Sequence, residues 1–196
     1  MSLLRAFIAV EIPLEIHQAI ESKTAPLRTA LDTGLVRWVP VDNIHLTLKF
    51  LGDVSPANME MLSQMLSVEV GQHAAFVLKF GGLGTFPNSR RPRVIWIGIQ
   101  APAELEALQH GIEAAAATLG YPSEGRPFSP HLTIGRVKQQ VRAAGIQKIR
   151  SALEQTKIGA LGTAQVSAVH LFKSDLKPSG AVYTKLFSAP LKLRSR

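Results

Sequence analysis

A tetrapeptide that occurs twice constrains this chain most: His45-Leu-Thr-Leu48 returns as His131-Leu-Thr-Ile134, 86 residues later. Side chains along a strand alternate between faces. Each copy therefore turns a histidine and a threonine to one side and two aliphatic residues to the other. Two further landmarks keep nearly the same spacing, Arg5 to Arg93 at 88 residues and Val77 to Val166 at 89. A shared offset across a chain implies an internal duplication.

The hydrophobic pattern between these landmarks runs twice through one order. In the first half it predicts strands over 5–10, 44–51 and 75–80, with a short extended piece at 36–39. A helix is expected over 14–31, and a second one opens at Ser55-Pro56, an N-cap followed by proline, and runs to about 70. The second half predicts strands over 93–99, 131–137 and 165–172, helices over 101–119 and 141–156, a Pro178-Ser179-Gly180 turn and a last strand over 182–187. The expected fold is α+β and bilobal. Two pseudo-symmetric β-α-β-α-β units, at about 5–87 and 93–190, form one domain over 1–196 with antiparallel sheets facing a central cleft.

Composition narrows the chemistry. The chain of 196 residues is 46% apolar, too much for disorder, and has no cysteine. Thiolate nucleophiles, disulfides and cysteine-held metals are thereby excluded. No apolar run reaches the eighteen residues of a membrane span, and Glu11 and Pro13 cut the first one short, so a cytoplasmic chain is expected. A formal net charge of +8 creates a field that attracts polyanions.

Two symmetric imidazoles suit one kind of reaction. Histidine titrates near pH 6.5, so one ring can be neutral while the other is protonated. That pair supplies a general base and a general acid on opposite sides of a reacting centre. In-line displacement at phosphorus needs this arrangement, and Thr47 and Thr133 would hold the non-bridging oxygens. No metal is expected: two histidines would need a third ligand, and Asp53 is the nearest candidate. Symmetry leaves open which ring is acid and which is base.

The chain resembles the two-histidine (2H, HxTx) phosphoesterase superfamily, in its RNA 2',3'-cyclic phosphodiesterase branch, also called 2'-5' RNA ligase. The resemblance rests on both tetrapeptides, on Arg5-Ala-Phe-Ile-Ala-Val-Glu-Ile-Pro13, Arg37-Trp-Val-Pro40, Asn43-Ile-His-Leu-Thr-Leu-Lys-Phe-Leu-Gly52 and Phe86-Pro87, and on Arg91-Pro-Arg93, Phe128-Ser-Pro-His-Leu-Thr-Ile-Gly-Arg136, Leu171-Phe-Lys-Ser174 and Tyr183. It implies hydrolysis of RNA 2',3'-cyclic phosphate ends to 2'-phosphates with no cofactor, and a reversible 2'-5' joining of RNA ends. It also implies that His45 is the proton donor and His131 the acceptor. The expected partner is RNA with a cyclic phosphate end, tRNA fragments included, with no membrane and no metal, acted on by a monomer. Rival readings are a phosphodiesterase for small cyclic nucleotides or ADP-ribose cyclic phosphate, and a non-catalytic RNA-binding protein on the same scaffold.

Several other residues are candidates for substrate binding. By strand alternation Lys49 shares the face of His45. Arg136 falls on the face opposite His131, unless a bulge at Gly135 resets the register. Phe50 reads as core, with a stacking platform for a base as the alternative. Arg90, Arg91 and Arg93 form a basic loop suited to RNA phosphates. Trp38 and Tyr183 read as core or as stacking rings. His17, His73, His110 and His170 read as structural or surface residues, and the tail from Lys192 to Arg196 as basic and frayed.

Overall fold

The computed structural model describes residues 2–177 and 180–193. The expected turn at Pro178-Ser179 and the end of the tail, 194–196, lie outside the described residues. The observed strands are β1 (Leu4–Glu11), β2 (Val36–Trp38), β3 (His45–Val54), β4 (Phe76–Phe86), β5 (Val94–Gln100), β6 (His131–Val137), β7 (Ala160–Val166), β8 (Ala168–Lys177) and β9 (Gly180–Pro190). The helices are α1 (Leu14–Ala30), α2 (Met59–Val70), α3 (Ala103–Thr118) and α4 (Ala143–Gln155). Ser55 does cap, its Oγ accepting from the Ala57 amide at 3.4 Å, but a 3-10 turn over 56–58 precedes α2.

The strands form two antiparallel sheets. One has the order β3-β1-β8-β9 and the other β2-β6-β5-β4-β7. The sheets do not coincide with the chain halves. β4, from the first half, sits between β5 and β7 in the second sheet, while β8 and β9, from the second half, complete the first sheet. Each lobe is thus built from both halves.

This exchange corrects two expectations. Val77 and Val166 are not equivalent positions, because β4 and β7 are paired neighbours with Phe76 opposite Val166 and Val77 opposite Gln165. The apolar run 165–172 is two strands, since β7 ends the second sheet at Val166 and β8 starts in the first at Ala168. The true counterpart of β4 is β8. Phe86 faces Val94 on β5, as Phe172 faces Phe7 on β1, and these phenylalanines stand 86 residues apart, the spacing of the two histidines.

One continuous core fills the helix side of both sheets. Leu46 and Leu48 of β3 enter it, as do Leu132 and Ile134 of β6, all at most 3% exposed. Each such side chain contributes about 1.5–3 kcal/mol through its removal from water. A smaller cluster of Phe7, Ala9 and Phe172, with Tyr183 against it, lies on the other face of the first sheet. β1 is therefore buried on both faces, in keeping with its unbroken run Ala6-Phe-Ile-Ala-Val10.

Both motif strands carry a bulge at the same place. On β3, Thr47 pairs with Ala9 and Lys49 with Ile8, leaving Leu48 as the extra residue. On β6, Thr133 pairs with Trp96 and Gly135 with Ile95, leaving Ile134. An extra residue inverts the alternation that follows it, and this decides which side chains reach the cleft.

Candidate active site

The two sheets face each other across a cleft of about 1340 Å³ whose walls include His45, Thr47, His131, Thr133, Phe50 and Arg136. The imidazoles are held alike. Nδ1 of His45 lies 2.9 Å from the carbonyl oxygen of Asn43, and Nδ1 of His131 lies 2.6 Å from that of Ser129. A carbonyl only accepts, so each Nδ1 carries the proton. Nε2 of each ring is left to accept a proton when neutral and to donate one when charged. Asn43 is itself tied, its Nδ2 donating to the Ala181 carbonyl at 2.8 Å.

The surroundings of the two rings differ. His45 stacks on Phe7 at 4.7 Å between centroids and meets Tyr183 edge-on at 5.1 Å. His131 meets Phe86 edge-on at 4.9 Å, with Trp96 at 6.4 Å. Burial pushes His45 below the usual histidine value, opposed by its bond to Asn43. Burial also lowers His131, opposed by the bond to Ser129, and the Arg136 guanidinium lowers it further. Burial raises the Tyr183 phenol, while Arg136 and Arg5 pull it down. Arg5 from the first sheet and Arg136 from the second therefore act on one ring between them.

The bulges sort the binding candidates. Arg136 reaches the cleft wall because the bulge around Ile134-Gly135 does reset the register. Phe50 is not core: it is 56% exposed and lines the cleft. Lys49 does not face the cleft with His45. The bulge turns it inward, where it is 1% exposed and its Nζ donates to Glu113 Oε2 at 2.7 Å and to the Pro122 carbonyl at 2.9 Å. Arg91 is exposed on a loop whose Arg90 and Arg91 amides both donate to Asn88 Oδ1 at 3.0 Å, and it does not line the cleft.

Tyr183 lines the cleft, whereas Trp38 packs against the core with its indole donating to the Leu31 carbonyl at 3.1 Å. His110, set aside on sequence, stands exposed at the cleft wall, as do Arg37 and Arg126. Arg5 served only as a landmark of the repeat, yet it too lines the cleft. Its position two residues before Phe7 on one strand face was the available signal. Among the described residues no helix is long and apolar enough to cross a membrane.

Comparison with known proteins places this site in a family. The model of the 2'-5' RNA ligase superfamily matches residues 12–178. The RNA 2',3'-cyclic phosphodiesterase of Methanothermobacter thermautotrophicus is 30% identical over 93% of this chain and 96% of its own. That of Methanocaldococcus jannaschii is 34% identical over 92% of this chain and 96% of its own. Among solved structures, TT0787 of Thermus thermophilus superposes with a TM-score of 0.79 at 28% identity, covering 96% of this chain and 98% of that one. Escherichia coli LigT complexed with 3'-AMP gives 0.75 at 28% identity, with the same coverage. Family model, relatives and paired motifs agree: this chain belongs to the 2'-5' RNA ligase superfamily of two-histidine phosphoesterases.

Proposed function

We propose that this chain hydrolyses RNA 2',3'-cyclic phosphate ends to 2'-phosphate ends, with His45 and His131 as the acid–base pair. The observation that carries the reading is the matched pair of imidazoles, each fixed through Nδ1 by a carbonyl two residues back and both lining one cleft. The curated relatives named RNA 2',3'-cyclic phosphodiesterase supply the substrate class.

In the reaction, His131 Nε2 takes a proton from water while the water oxygen bonds to phosphorus. The bond from phosphorus to O3' breaks, and His45 Nε2 gives its proton to O3'. The products are a 2'-phosphate and a free 3'-hydroxyl. Arg136 beside His131 supports the role of base there, because a nearby cation favours the neutral ring. Thr47, Thr133 and Arg136 hold the non-bridging oxygens. A bound anionic phosphate favours the imidazolium of His45, offsetting its burial. With a 5'-hydroxyl in place of water, the same displacement joins RNA ends in a 2'-5' linkage.

Arg5, Arg37, Arg126 and Arg136 line the cleft, with the exposed Phe50 ring placed to stack a base. This favours an RNA end over a small cyclic nucleotide. We take tRNA fragments as one source of such ends, the cytoplasm as the setting, and a single chain as the acting unit, since one chain supplies every residue named. Comparing an oligonucleotide that ends in a 2',3'-cyclic phosphate with the corresponding cyclic mononucleotide tests the substrate class. The oligonucleotide should show the higher kcat/KM and yield a 2'-phosphate. Equal or better turnover of the mononucleotide would transfer the assignment to small cyclic phosphates.

A further inference from the structure

The two chain halves support their histidines differently, and the difference centres on Lys49. In the second sheet β2 flanks β6, with Val36 opposite Val137, Arg37 opposite Arg136 and Trp38 opposite Gly135. Moved on by the 86-residue repeat, Val36–Trp38 becomes Pro122–Glu124 and Gly135 becomes Lys49. That segment forms no strand, and β3 is left as the edge of its sheet. Pro122 has no N–H to give to a ladder.

A side-chain cluster stands where the ladder would be. Lys49 Nζ donates to Glu113 Oε2 on α3 at 2.7 Å and to the Pro122 carbonyl at 2.9 Å. The same Glu113 oxygen accepts from the Glu124 amide at 3.3 Å. Gln109 Nε2 joins Glu113 Oε1 at 3.4 Å to the carbonyl of the bulge residue Leu48 at 3.3 Å. From this anchor the chain runs along the cleft wall through Arg126 and Phe128 to Ser129, whose carbonyl fixes Nδ1 of His131.

We infer that Lys49 and Glu113 are positioning residues: their buried ion pair stands in for a missing strand and holds the 119–130 loop, so that Ser129 presents its carbonyl to His131. This rests on the reading of His131 as catalytic. His45 is held by a separate device, because its Asn43 is tied to Ala181.

Three variants test the inference, with both catalytic and substrate-free readouts. Lys49→Met keeps the apolar stem but removes the donors. It should lower kcat for cyclic phosphate hydrolysis by on the order of 10²-fold, as loss of catalytic alignment does. Amide exchange should speed up over 119–130. The ring-nitrogen shifts of His131 should move away from a fixed Nδ1–H tautomer while those of His45 stay put. Lys49→Met leaves a buried carboxylate unpaired, so stability will fall as well, and Glu113→Gln leaves the ammonium in the same position.

The double variant Lys49→Met/Glu113→Leu separates the two effects. Replacing both charges by apolar groups removes the burial penalty, so its melting temperature should recover while kcat and loop exchange do not. If the double variant recovers kcat together with its melting temperature, the pair is merely structural and the inference fails. Unchanged loop exchange and His131 nitrogen shifts in Lys49→Met would also overturn it. Neither spectroscopic readout needs a substrate, so they stand apart from the functional reading, which fails on its own if His131→Ala retains turnover.

Discussion

At the scale of single residues, the acid–base chemistry depends on where the protons sit. Carbonyls fix the proton of both rings on Nδ1, and burial keeps both rings neutral at pH values where free histidine would be partly charged. Arg136 contributes to this at His131. Arg136→Gln removes that cation, so the His131 titration followed by NMR should move up toward the usual value; an unchanged midpoint would separate Arg136 from the base. Thr47→Val and Thr133→Val should each lower kcat by about 10²–10³-fold if their hydroxyls serve the phosphoryl oxygens, with KM read alongside. The two histidines and two threonines were legible in the sequence because a polar pair repeated in a diverged duplication has no local structural cause. Arg5 offered one local signal, a strand face shared with Phe7, but its joint action with Arg136 on Tyr183 depends on a partner lobe that no local pattern reveals.

At the scale of elements, the bulges decide which side chains reach the cleft. Alternation along β3 places Lys49 in the cleft and Phe50 in the core, and a single extra residue at Leu48 reverses both. The reversal on β6 was foreseeable from Gly135, a residue that often marks a bulge. Nothing comparable marks Leu48-Lys49, so the site of a charged residue became the site of a buried pair. Gly135 has a packing reason as well. A Cβ there would stand 2.8 Å from the Trp38 ring and 2.9 Å from Val36. Trp38 cannot easily yield, because its indole bonds to Leu31 and Arg28 lies over its ring at 5.0 Å. Gly135→Ala should therefore cost about 1–3 kcal/mol, as overpacked cores do, measured by urea unfolding. A loss below the error of that measurement would mean that the β2–β6 edge gives way freely.

At the scale of the whole molecule, the halves exchange strands so that each sheet depends on both. The duplication was readable from local patterns, but the exchange was not, because strand partners are set by contacts far apart in sequence. Burial depresses three histidines, His45, His131 and His170. The unfolded chain takes up these protons near pH 6.5 and the folded chain only at lower pH. Their contribution to stability is present above pH 6.5 and is lost as the pH falls through the lower folded values. The melting temperature should accordingly drop between pH 7.5 and pH 5, and His170→Gln should reduce the drop. That the two lobes bring one acid and one base to the same phosphorus is tested most directly by turnover of a cyclic-phosphate-ended oligonucleotide in EDTA. The wild type should form the 2'-phosphate, and His45→Ala and His131→Ala should each lose about 10²–10⁴-fold in kcat. Near-wild-type turnover by either single variant, or activity abolished by EDTA and restored by zinc, would contradict it.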